Sequence, residues 1–93
     1  MLEREVEQAL VRAVKKRGGM CPKFVSPGLD GVPDRMILLP GGRLAFAEVK
    51  APGRRMRPLQ VLRAQQLESM GVKVYLIDGK EQIGGVLDEI SAT

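Results

Sequence analysis

At 93 residues the chain suits one small α/β-sized domain, and a domain of that size has a thin stability margin that pairing with a second copy would widen. One cysteine, Cys21, and no histidine exclude an internal disulfide, multi-cysteine zinc sites, Ser-His-Asp triads and histidine bases; catalysis would have to run on carboxylates, lysines and an oxygen-ligated metal. The net charge of +4 and a pI of about 9.6 favour polyanionic partners, while the charged N-terminus and the absence of any membrane-length run lead us to expect a cytoplasmic protein.

Leu2, Val6, Ala9, Leu10, Ala13 and Val14 form the stripe of an amphipathic helix over about residues 2–17, stopped by Gly18 and Gly19. Residues 20–25 suit a first strand, with Pro22 arguing for an edge position. Residues 26–33 are dense in turn formers and read as a loop. Two apolar runs, 35–39 and 44–49, flank Pro40-Gly41-Gly42-Arg43 and predict a hairpin. Pro58 suits the first turn of a second helix, in which Leu59, Leu62, Leu67 and Met70 mark an apolar side and Gly71 the end. Residues 72–77 predict a further strand, and about 80–90 a last helix weakened by Gly84 and Gly85. The order is helix, three strands, helix, strand, helix. The crossover from 44 to 77 should set its two strands parallel within a mixed sheet, giving one α/β domain over 1–93.

Glu48-Val49-Lys50 closes an apolar strand. Alternation sends Glu48 and Lys50 to one face and Val49 to the other. Asp34 opens the preceding strand. If Leu39 pairs with Arg43, Asp34 lies opposite Glu48; if Leu39 pairs with Leu44, it falls opposite Val49 and faces away. Two carboxylates and a lysine at one sheet edge suit phosphodiester hydrolysis. Asp34 and Glu48 offer hard oxygen ligands for Mg²⁺, with Mn²⁺ as a substitute, and Lys50 can orient or deprotonate a water or clamp a phosphate oxygen.

The strings GVPDR at 31–35, AEVKAPG at 47–53 and PLQ at 58–60, with KFVSPG at 23–28 and EREVEQAL at 3–10, resemble the VRR-NUC (virus-type replication-repair nuclease) family of the PD-(D/E)xK superfamily. The resemblance implies a restriction-endonuclease-like αβββαβ core, a mixed sheet flanked by helices, and cleavage of DNA. It also implies an acidic metal ligand on the first helix, Glu7 in first place and Glu3 as the alternative, both bordering the apolar stripe. By the same resemblance Gln60 supports the metal water or a phosphate, its competing reading being an exposed helical glutamine. The Val49 carbonyl is a candidate further ligand.

Arg54, Arg55 and Arg57 follow Lys50, Arg63 lies on the next helix, and no acid intervenes between Glu48 and Glu68. With Lys23 and Arg35 they form the candidate DNA-contacting set. Only Phe24, Phe46 and Tyr75 are aromatic, so readout of backbone and shape is expected over base stacking. Resemblance to stand-alone phage and bacterial members implies a homodimer cutting branched DNA, such as a Holliday junction, in repair or recombination. A non-catalytic nucleic-acid-binding module with the same fold and an RNA-processing enzyme are the alternatives.

Overall fold

The computed structural model describes residues 1–93. Its elements are α1 (Glu3–Lys16), β1 (Arg35–Leu39), β2 (Arg43–Val49), α2 (Pro58–Ser69), β3 (Lys73–Ile77), a 3₁₀ turn (Lys80–Gln82) and α3 (Ile83–Ser91). The α1 stripe buries Val6, Leu10 and Val14, which recur every fourth residue along one flank. Lys15 and Lys16 occupy its last turn, and Gly18 takes a φ of +82° just beyond it. A side chain at Gly19 would collide with the Leu38 carbonyl oxygen, so this glycine lets the helix exit lie directly on β1.

The sheet order is β1-β2-β3, with β1–β2 antiparallel and β2–β3 parallel, as the hairpin and crossover readings expect. Leu39 pairs with Arg43, leaving Pro40, Gly41 and Gly42 as the three-residue turn. Paired residues share a face, so Ile37, Leu39, Ala45, Ala47, Val49 and Ile77 lie together on one side. There they meet Val6, Leu10 and Val14 of α1 and Ile83, Leu87 and Ile90 of α3 in a single core. An ion pair between Arg17 and Asp88, at 2.8 Å, ties the two helices at the surface.

Two expectations are corrected. Residues 20–25 do not form a full strand; they touch β1 through two isolated bridges, Met20 to Leu38 and Lys23 to Arg35. Both bridges hold one antiparallel register, and Met36 N–H donates to the Pro22 carbonyl at 3.0 Å. The return bond is missing because Pro22 has no N–H, which interrupts the ladder. The apolar side of α2 is not a core face either. Of its residues Leu59, Leu62 and Met70 are exposed and Leu67 is half-buried, and the one buried α2 residue is Gln60. The helix packs on β3 and over the second face of the sheet, where Leu44 and Leu76 also stay exposed. The last helix runs through Gly84 and Gly85 after its 3₁₀ start. No helix is long and apolar enough to cross a membrane.

Candidate active site

The hairpin register continues past its last pair, Arg35 with Ala47, and sets Asp34 opposite Glu48. A further contact fixes Asp34 there: its Oδ2 accepts a hydrogen bond from the Val49 N–H at 2.9 Å. The side chain of Val49 turns into the core, so Glu48 and Lys50 emerge together on the other face. Lys50 N–H donates to the Ile77 carbonyl at 3.0 Å, which carries the β2–β3 pairing through the lysine.

Glu48 is buried to 2% exposure. One of its oxygens, Oε2, accepts from Gln60 Nε2 at 2.7 Å and lies 3.2 Å from Lys50 Nζ. The other, Oε1, is buried without a hydrogen-bond donor. Burial pushes the Glu48 carboxyl above the usual glutamate range, and the neighbouring Asp34 charge pushes it further. Lys50 opposes both through its hydrogen bond and its charge, and Glu3 adds a smaller upward push. A buried carboxylate oxygen with no donor, next to a second carboxylate, is a strong electrostatic demand for a cation.

Gln60 is held as firmly as the glutamate it serves. Its Oε1 accepts from the Arg57 N–H at 2.8 Å, closing the first turn of α2, while its amide nitrogen faces Glu48. It therefore orients Glu48 Oε2 and leaves Oε1 open. The loop before Asp34 is fastened to the same helix. Arg63 Nε donates to the Asp30 carbonyl at 2.7 Å, and Gly31, at φ +82°, sits so close that a Cβ would lie 2.8 Å from Leu59 Cγ. Arg63 thus braces the loop instead of joining Arg54, Arg55 and Arg57.

Glu3 and Glu7 diverge. Glu3 lines an open cleft of about 400 Å³ with Lys50, Arg54, Arg55 and Arg57. Glu7 pairs with Arg35 Nε at 2.9 Å, and Arg35 also donates to the Cys21 carbonyl at 2.8 Å. Of the two helix-1 acids, the one facing the Lys50 cleft is Glu3. No third aspartate, glutamate or cysteine joins Asp34 and Glu48 closely enough to complete a three-ligand cluster. Lys23 lines a separate cleft with Arg35 and with three polar α1 side chains that were not among the candidate site residues, Arg4, Gln8 and Arg12. Their signal was there to find, since they recur every fourth residue along one flank of α1.

No protein-family model matches the chain. A solved structure of a "VRR_NUC domain" superposes with a TM-score of 0.86 at 23% identity, covering 92% of this chain and 94% of that one. At that identity the likeness is one of fold. A curated relative from Acyrthosiphon pisum secondary endosymbiont phage 1, "Putative nuclease p44", is 43% identical over 79 residues, 85% of each chain. The chain belongs to the VRR-NUC family. Within this VRR-NUC domain the three-stranded mixed sheet carries Asp34, Glu48 and Lys50 at one end, with the helices packed around it.

Proposed function

We propose that this VRR-NUC chain is a Mg²⁺-dependent endonuclease that hydrolyses phosphodiester bonds in DNA, acting as a homodimer on branched substrates such as four-way junctions. The observation that carries the metal reading is Glu48 Oε1, buried and without a donor, beside a second carboxylate. Mg²⁺ takes hard oxygen ligands, keeps several waters and binds substrate phosphate, which suits a site offering two carboxylates instead of a closed cage. Asp34 and Glu48 would hold it, with the Val49 carbonyl and Glu3 as further donors, and Mn²⁺ would substitute. When bound, the ion supplies Lewis acidity, activating water and offsetting charge on the phosphate.

The chain's own groups do the positioning. Gln60 and Lys50 fix one oxygen of Glu48 and leave the other to ligate. The Val49 N–H holds Asp34 in place. Lys50 is able to orient the attacking water, take its proton or neutralise a phosphate oxygen. Arg54, Arg55 and Arg57 are exposed at the rim of the same cleft, where a phosphate backbone meets cations without passing an acid other than Glu3. The homodimer reading draws support from the apolar residues that the fold leaves uncovered. Leu44 and Leu76 share the sheet face of Glu48 and remain 40% and 38% exposed, and Leu62 of α2 is 45% exposed.

The test is cleavage of labelled four-way, flap and linear DNA in Mg²⁺, with Ca²⁺ in its place and with Asp34→Ala as controls. Paired symmetric cuts on the four-way junction, lost in both controls, are expected. Cutting of flaps or linear DNA alone would remove the junction assignment. Tight binding with no Mg²⁺-dependent cleavage would replace the nuclease by a DNA-binding module.

A further inference from the structure

We propose that the cleft between the outer flank of α1 and the 20–25 edge segment is a second DNA-backbone subsite, binding a phosphodiester away from the scissile bond; this rests on the reading of DNA as the substrate. The cleft has a volume of about 320 Å³ and is lined by Arg4, Glu7, Gln8, Val11, Arg12, Lys23 and Arg35. Four cations face one carboxylate. That carboxylate is already occupied, since Glu7 is paired with Arg35 at 2.9 Å. Arg4, Arg12 and Lys23 reach no carboxylate within ion-pair distance, so their charge is free for an external anion.

Isolated surface arginines are ordinary features of a solvated helix. Here, however, cations converge on one concavity from two separate parts of the chain, α1 and the edge segment with β1. Arg4, Gln8 and Arg12 stand one helical turn apart, a ridge spanning about 12 Å, against about 3.4 Å of axial rise per phosphate on a DNA strand. Such a ridge follows several nucleotides of backbone. Gln8 at its centre supplies an uncharged donor for a phosphate oxygen.

The position also fits. Glu3 faces the catalytic cleft and Glu7, one turn later, faces this one. Arg35 directly follows Asp34 in the chain, and its guanidinium forms part of the cleft wall. A strand laid across Lys50 and the Arg54–Arg57 rim would therefore pass the first turn of α1 and reach the second cluster of cations. The arginines of the two clefts have different duties. Those near Lys50 serve the reacting phosphate, while Arg4 and Arg12 set how far the bound DNA extends.

The experiment is fluorescence anisotropy of labelled duplex and four-way DNA in EDTA over a KCl series, with Mg²⁺-started cleavage run in parallel. The Arg4→Ala/Arg12→Ala double variant should bind about tenfold more weakly at low salt. Its slope of log K against log salt should fall by about 1.8, the release of two phosphate contacts. Cleavage at saturating DNA should keep its kcat while KM rises, and Arg4→Lys/Arg12→Lys should restore most of the binding. Both arginines are exposed, and a thermal melt confirms that the variants fold. An unchanged Kd and salt slope in the folded double variant would overturn the subsite. Weaker binding by that variant, with no cleavage even by the wild type, would uphold the subsite while removing the nuclease reading.

Discussion

Leaving a buried carboxylate oxygen without a donor costs a domain about 1–3 kcal/mol, a large share of a small protein's margin. Glu48 Oε1 is such an atom, and the proposed metal would offset that cost. The sign of its pH effect follows. Because burial and Asp34 raise its pKa, the native chain holds a proton that the unfolded chain releases. Native stability therefore falls as pH rises from the ordinary glutamate range through the raised value. Glu48→Gln should abolish cleavage and yet melt higher than the wild type in EDTA at pH 8, by roughly 4–8 °C for each kcal/mol recovered. At pH 4 the two melting curves should converge, and Mg²⁺ should stabilise only the wild type. A variant less stable than the wild type at both pH values would mean that Glu48 is a structural anchor. At this scale the sequence was informative about the strand residues, because alternation alone puts Glu48 with Lys50. It put Glu7 ahead of Glu3, although both border the same stripe and Glu3 is the one that lines the Lys50 cleft. Their difference depends on Arg35 reaching back across the edge segment to Glu7, a tertiary contact between residues 28 apart in the chain.

Among the elements, the hairpin and the parallel crossover were legible because their turns and periodicities are local. The edge segment was half legible. Its register is that of a strand, and one proline prevents the ladder from closing. The role of α2 was not legible, because an apolar stripe says that a face seeks a partner without saying which one. The seating of α1 on β1 gives a sharper test. Gly19→Ala would place its methyl against the Leu38 carbonyl oxygen and within 3.0 Å of Val14 and Leu39 side-chain carbons, so helix exit and strand would have to part. A loss of about 1–3 kcal/mol is expected, read as a lower urea midpoint with an unchanged slope. A midpoint equal to that of the wild type would show that this junction yields easily.

For the whole molecule, the sheet is covered on one face by α1 and α3 and only partly on the other. That imbalance is what a second copy would correct. A standard interface covers about 800 Å² on each partner, so the contact would have to take in α2 as well as Leu44 and Leu76. If it does, light scattering should give the wild type twice the 10.2 kDa chain mass, and Leu44→Asp with Leu76→Asp should give one chain mass. Wild-type protein already at one chain mass would remove the homodimer. The three-residue turn at Pro40, Gly41 and Gly42 has a different kind of consequence for the molecule. It touches neither carboxylate, yet its length decides whether Asp34 faces Glu48 or Val49. The site therefore depends on how many residues stand in that turn as well as on Gly41 and Gly42, whose φ angles of +91° and +73° close it. An insertion or deletion of one there would act as a parity error, turning Asp34 away from Glu48 from the far end of the hairpin.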